Sequence, residues 1–215
     1  MVAASSRGRR IVLWRHGQTA WNREQRFQGT TDIELNAEGV AQARSAARVL
    51  AAFAPDAVIT SDLRRAAATA RCLSALTHRT AIPEEGLREA YTGRWQGLTH
   101  DEIVAGYGEE YEAWKRGEPV RRGGGELDVE VAERATAVVE RHAARLPDGG
   151  TLVVVSHGGT IRATAGRVLG MDPADWMSLA GLSNCRWHVL SEEPSGWLLS
   201  VRNAGAPQET EFAEG

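Results

Sequence analysis

Apolar residues along the chain alternate between two rhythms: short continuous runs, and spacings of three or four. Ile11-Val12-Leu13-Trp14 is a continuous run that delivers Arg15-His16-Gly17 at its end. Such a run predicts a buried strand from about Arg10. After Asn36, a residue suited to capping a helix, Val40, Ala43, Ala47, Leu50 and Ala51 fall on one helical face until Pro55-Asp56 breaks the pattern. Ala57 to Thr60 forms a second run, and the alanine-rich segment behind it predicts a helix capped by Ser61 or Asp62 and reaching about Leu76. Thr151 to Val155 is a third, strongly β-branched run, followed by Ser156-His157-Gly158-Gly159 and a helix to about Leu169.

Between the second and third runs the pattern is looser. It holds Leu87-Arg88-Glu89, two short helical segments around Ile103 and Trp114, a glycine-rich turn at Gly123-Gly124-Gly125, and a longer helix from about Leu127 to Arg145. Trp187 to Val201 reads as a hairpin adding edge strands. Strands alternating with helices predict an α/β fold with a doubly wound, mostly parallel central sheet flanked by helices, in a single domain. The expected boundaries are a flexible N-terminus over 1–9, the domain over 10–202, and a flexible C-terminal tail over 203–215.

Composition narrows the function classes. The chain has 215 residues, 42% hydrophobic and 25% charged, as in an ordinary globular domain. A net charge of −3 argues against a nucleic-acid or anionic-membrane partner, because both need a broad basic face. No apolar run approaches the roughly 20 residues of a membrane span, and the stretch behind MVAASSRGRR is too short for a signal-peptide core. A cytoplasmic protein is expected. Cys72 and Cys185 lack metal-site spacing and read as small buried hydrophobes.

In a doubly wound sheet, ligands bind at the carboxyl ends of strands, and His16 and His157 both sit at such ends. A neutral imidazole at His16 could attack phosphorus, with the cation of Arg15 favouring the neutral ring and attracting a phosphate dianion. Gly17 is expected to leave room for the phosphate. His157 precedes Gly158 at a strand-to-helix junction, where free N–H groups and the helix dipole favour an anion. Its expected role is to donate to phosphoryl oxygens.

Four blocks then resemble the histidine phosphatase (phosphoglycerate mutase-like) superfamily, along nearly the whole chain from about Ile11 to Val201. They are Leu13-Trp-Arg-His-Gly-Gln-Thr-Ala-Trp-Asn22, Ser61-Asp-Leu-Arg-Arg-Ala-Ala-Ala-Thr-Ala70, Leu87-Arg-Glu89 with Gly93-Arg-Trp-Gln-Gly97, and Ser156-His-Gly-Gly159. The resemblance implies that His16 is phosphorylated and that Arg15, Arg65 and a protonated His157 form the charged pocket. It implies that Glu89 protonates the leaving oxygen and then activates water. Asn22, Gln28, Gly29 and the N–H of Gly158 are implied as further substrate contacts. No metal and no cofactor are required, because the cations supply the clamp. Members are often dimers, so a homodimer is a further implication. Trp14 departs from the family's small aliphatic residue at that position, and its side chain is expected to point away from the phosphate.

Other residues read more plainly. His78, His100, His142 and His188 are expected to be structural, and Arg64 and Arg88 to face solvent or the helix flank. Arg121 and Arg122 read as a solvated loop, with one of them lining the substrate entrance as the alternative. Ser156 lacks the first glycine of a nucleophile elbow, and Gly123-Gly-Gly125 lacks the Lys-Ser/Thr of a nucleotide phosphate loop. A zinc site built on His16, His157 and Glu89 would repel Arg15 and Arg65.

The short stretch from Glu89 to His157 favours hydrolysis over phosphoglycerate mutase chemistry, since mutases of the superfamily carry a longer insertion there. Leu87 to Ile103 and Gly181 to Trp187 look most like a subfamily of actinobacterial glucosyl-3-phosphoglycerate phosphatases. Fructose-bisphosphate, α-ribazole-phosphate and broad sugar-phosphate phosphatases are the alternatives within the enzyme class. A phospho-ligand-binding protein without turnover is the alternative outside it. Substrate choice is expected from the loop over 28–35, the segment over 91–122 and the region of Asn184. A rate optimum on the acidic-to-neutral side is expected, with bound phosphate raising the pKa of Glu89.

Overall fold

The computed structural model describes residues 8–179 and 181–206. Six strands form one sheet: β1 Arg10–Arg15, β2 Ala57–Thr60, β3 Ile82–Pro83, β4 Thr151–Ser156, β5 Trp187–Glu193 and β6 Gly196–Ala204. Their spatial order is β3-β2-β4-β1-β5-β6. The four strands β3, β2, β4 and β1 are mutually parallel, and the β5-β6 hairpin adds two antiparallel strands beside β1. Six helices connect them: α1 Ala20–Arg23, α2 Ala37–Ala51, α3 Arg64–Thr77, α4 His100–Lys115, α5 Asp128–Ala143 and α6 Gly158–Val168.

The period-2 alternation of the central strands divides the core into two layers. Ile11, Leu13, Leu152 and Val154 pack with α5 and α6, whereas Val12, Trp14, Val153 and Val155 pack with α2 and α3. Burying each such aliphatic side chain contributes about 1.5–3 kcal/mol, so both layers hold β1 and β4 in register. Trp14 is fully buried in the second layer, where its indole N–H donates to the Cys185 carbonyl. It points away from the cavity described below, as its position before Arg15-His16 suggests.

Helix boundaries differ from the sequence reading where a side chain has another task. Asn36 caps α2 as expected, accepting from the Gly39 N–H at 2.8 Å. The cap position of α3 is Leu63, with no side-chain cap bond, because Ser61 is drawn to His157 instead. The two helical segments around Ile103 and Trp114 are halves of one element, α4, broken at Tyr107 (φ −142°, ψ 33°) between Gly106 and Gly108. Strand β6 continues through Ala204, and the Asn203 N–H donates to His188 Nδ1, so ordered structure runs past the expected boundary at 202. At the other end, Arg9 is tied to Glu192 and to the Ala143 carbonyl. The rest of both expected tails, 1–7 and 207–215, lies outside the described residues.

Candidate active site

The carboxyl ends of β1, β2 and β4 open onto a cavity of about 290 Å³ lined by Arg15, His16, Asn22, Gln28, Gly29, Arg65, Glu89 and Gly158, among others. The register of β1 against β4 pairs Arg15 with Ser156, which brings the residues after each strand, His16 and His157, side by side. Their ring centroids are 5.1 Å apart. Both rings are buried.

His16 Nδ1 lies 2.7 Å from the Gly17 carbonyl, an acceptor, so Nδ1 carries the proton and Nε2 keeps its lone pair. Burial above all, then His157, Arg65 and Arg15, holds the pKa of His16 well below 6.5. A neutral ring with its outer nitrogen unprotonated is a nucleophile at neutral pH. The backbone fixes its position through the Cys185 N–H and the Asn184 side chain, both donating to the His16 carbonyl.

His157 differs from the sequence expectation of a protonated donor. Arg65 Nε–H can only donate, and it lies 3.1 Å from His157 Nδ1, so that nitrogen is bare. The proton is then on Nε2, which contacts Ser61 Oγ at 2.9 Å. Burial, followed by Arg65 and Arg15, keeps this ring neutral as well. The cationic clamp therefore consists of arginines alone. Arg65 is fully buried, spans to the Thr31 and Gly29 carbonyls at 2.7 Å each, and has its pKa lowered by burial to about 10. Arg15 is held by the Leu182 carbonyl, and its Nε has no partner.

Glu89 accepts from the Ala90, Gly159 and Thr160 N–H groups and from the Thr160 hydroxyl, all at 2.9–3.0 Å. Burial pushes its pKa up, but these bonds, with Arg122 and Arg65, outweigh it and leave the pKa below the usual carboxylate value. In the free protein Glu89 is thus an anion. This corrects the picture of the α6 N-terminus as a free anion site: the N–H groups of Gly159 and Thr160 serve Glu89, although Gly158 and Gly159 both line the cavity. It also explains Gly159, where a Cβ would stand 2.7 Å from Glu89 Oε1.

Gly17 does not line the cavity. A Cβ there would lie 2.3 Å from the Gly39 carbonyl, so this glycine allows β1 and α2 to meet rather than making room for phosphate. Asn22 lines the cavity, and its Oδ1 takes the Thr19 N–H and Asn184 Nδ2, which orients its own amide N–H groups away from those partners. Gln28 is nearly buried and its Oε1 has no partner.

Of the remaining residues, Arg88 pairs with Asp62 and Glu85, Arg64 with Glu34, and Arg121 with Glu130, all outside the cavity. His78, His100, His142 and His188 lie outside it too. Arg122 is the exception, being buried and in the cavity wall. Sequence reasoning missed Arg162, Trp114 and Thr92, which also line the wall, and two residues that hold Glu89. Thr160 is one; the other is Arg134, whose guanidinium binds the carbonyls of Gly86, Arg88 and Glu89. Arg162 had a readable signal, since it lies four residues after Gly158 and so on the same helix face. Arg134 had none.

This geometry is that of an α/β phosphoryl-transfer enzyme, and residues 11–205 match the histidine phosphatase superfamily (branch 1). The chain belongs to the histidine phosphatase superfamily and is a phosphatase. It is 38% identical to the glucosyl-3-phosphoglycerate phosphatase of Mycobacterium tuberculosis, over 93% of this chain and 96% of that one. A solved mycobacterial glucosyl-3-phosphoglycerate phosphatase in complex with VO3 superposes with a TM-score of 0.87 at 39% identity, covering 92% of this chain and 100% of that one. A 2,3-bisphosphoglycerate-dependent phosphoglycerate mutase of Gloeobacter violaceus is 35% identical over a shorter stretch, 71% of this chain and 72% of its own.

Proposed function

We propose that the chain hydrolyses glucosyl-3-phosphoglycerate, or a closely related small phosphorylated sugar acid, through a phosphohistidine at His16 and without a metal. The observation that carries the chemistry is the neutral His16 ring, anchored through Nδ1 with Nε2 free beside Arg15 and Arg65. The near full-length likeness to the mycobacterial phosphatase supports the substrate.

In the first step Nε2 attacks phosphorus, the P–O bond to the leaving alcohol breaks, and that oxygen takes a proton from Glu89. The phosphorylated ring is steadied by its Nδ1–H bond to the Gly17 carbonyl. In the second step a water attacks phosphorus, its proton passes to Glu89, the N–P bond breaks, and His16 returns neutral. Glu89 is an anion beforehand, so its proton must arrive with the substrate. Phosphate monoesters titrate near pH 6, and their monoanion can deliver it. His157 stays neutral: its Nδ1 accepts from Arg65 Nε–H and its Nε2–H meets Ser61 Oγ, so the ring orients Arg65 towards the phosphoryl group. Arg15 and Arg65 supply charge where it develops, each charge-assisted bond contributing about 1.5–3 kcal/mol.

The test is phosphate release from glucosyl-3-phosphoglycerate, 3-phosphoglycerate, fructose bisphosphates, α-ribazole phosphate and p-nitrophenyl phosphate, in EDTA, with His16→Ala alongside. A preference of about a hundredfold or more in kcat/KM for glucosyl-3-phosphoglycerate, lost in the variant, is the expected result. Flat, weak turnover would overturn the substrate assignment, and no turnover would leave phospho-ligand binding as the function.

A further inference from the structure

Beyond the phosphate end, the cavity wall carries a second cationic group that the hydrolytic chemistry does not use. Arg122 and Arg162 both line it. They stack over Trp114, their guanidinium carbons 5.1 and 5.7 Å from its centroid. Their shared counter-charge is Asp128. Arg122 donates to its Oδ1, whereas Arg162 only approaches Oδ2, at 4.0 Å, and the Trp114 N–H also donates to Oδ2 at 3.3 Å. Asp128 thus serves Arg122 directly and Arg162 only at a distance, while the charge of Glu89 acts on both arginines.

Their donors are not used up. Arg122 is 4% exposed, and its buried Nε has no partner. Among the described residues Arg162 has no hydrogen-bond acceptor, although only 14% of its side chain is exposed. Burial lowers the pKa of Arg162 and Arg122 adds to this, against the opposing charges of Asp128 and Glu89. The neighbouring Thr92 hydroxyl, also in the wall, lacks a partner too. Buried polar groups ordinarily find partners, so this cluster is built for something that arrives.

The structure assigns Arg122 and Arg162 as the subsite for a carboxylate carried by the substrate's alcohol portion. Hydrogen bonding decides the group: Asp128 is engaged by Arg122 and the Trp114 indole, and Glu89 by the first N–H groups of α6, so the remaining guanidinium N–H groups call for an arriving acceptor. The placement fits as well: Arg162 lies one helical turn beyond Gly158, about 6 Å along α6 from the phosphate end. A planar carboxylate also suits the guanidinium fork better than a hydroxyl does.

This assignment rests on the phosphatase reading, and the test separates the two. kcat/KM is measured for 3-phosphoglycerate and for glycerol 3-phosphate, which differ by the carboxylate, and for fructose 1,6-bisphosphate against fructose 6-phosphate. The wild type is expected to favour 3-phosphoglycerate by at least about tenfold, as an unpaired buried charge costs more than one hydrogen bond. Arg162→Gln and Arg122→Gln should bring that ratio towards one. Asp128→Asn, which removes the competing carboxylate, should raise it, so the subsite is tested from both directions even if an arginine variant fails to fold. Equal turnover of the two three-carbon esters by the wild type, or a ratio unmoved in all folded variants, would overturn the subsite alone. So would a larger gain from the second phosphate of fructose 1,6-bisphosphate. Absence of phosphate release from every ester would instead overturn the phosphatase reading.

Discussion

At the sheet end of the cavity, the backbone holds each reacting group: Gly17 fixes the His16 ring, Thr31 and Gly29 fix Arg65, and the first N–H groups of α6 fix Glu89. At the opposite end Arg122 and Arg162 lean on one carboxylate and an indole supplied by α5 and α4. These main-chain groups, in the loops that follow β1 and at the start of α6, cannot swing away as side chains do, so the first wall is preorganised, which is what charge stabilisation in a transition state requires. Side chains on side chains can adjust, and the second wall is suited to choosing a ligand. Rate should reside at one end and selectivity at the other.

The largest effect expected from attacking the first wall is that of Glu89→Gln. It should cost about 10²–10⁴-fold in kcat/KM on alkyl phosphates. On p-nitrophenyl phosphate, whose leaving group needs no proton, the loss should be at least about tenfold smaller. Equal losses on both would remove Glu89 from the acid role. Next in size is Gly159→Ala, which touches no substrate but forces Glu89 Oε1 away from a Cβ at 2.7 Å. Misplacing the acid by a fraction of an ångström should lower kcat by up to about 10²-fold while thermal stability changes little, and an unchanged kcat would contradict it. The smallest effect is the pH dependence of stability. His16, His157 and His188 all have folded pKa values below the ordinary 6.5, with burial the leading cause, and His188 is at about 4. The unfolded chain therefore binds more protons between the folded values and about 6.5, so stability rises with pH through that window and falls on acidification. Each histidine adds a slope of at most about 1.4 kcal/mol per pH unit. Urea midpoints that stayed flat from pH 7 to 5 would show that these rings are not neutral when buried.

The same division explains what the sequence disclosed. Ile11 to Trp14 and Thr151 to Val155 are legible as strands because burial on both faces leaves an uninterrupted apolar run, and the residues at their ends are then placed by topology. His16, Arg65, His157 and Glu89 are legible through short blocks for the same reason. The protonation states of Glu89 and His157 were not, because they depend on which N–H groups reach them from α6 and α3. Gly17 was assigned to the phosphate because its contact, Gly39, is distant in sequence and carries no chemical signal. Arg122 and Arg162 meet only through Trp114 and Asp128, on three helices and a glycine turn, and no local pattern announces such a meeting.

The central claim is that phosphorus passes through His16. The most direct measurement is rapid quenching of Glu89→Gln during turnover of p-nitrophenyl phosphate, followed by intact-mass and peptide analysis. The variant can still be phosphorylated by this ester but lacks the base that activates water, so one phosphoryl group should accumulate, mapped to His16, stable in alkali and lost in acid. Burst release of p-nitrophenol without a phosphoryl group on His16, or a phosphoryl group that persists in His16→Ala, would contradict the account.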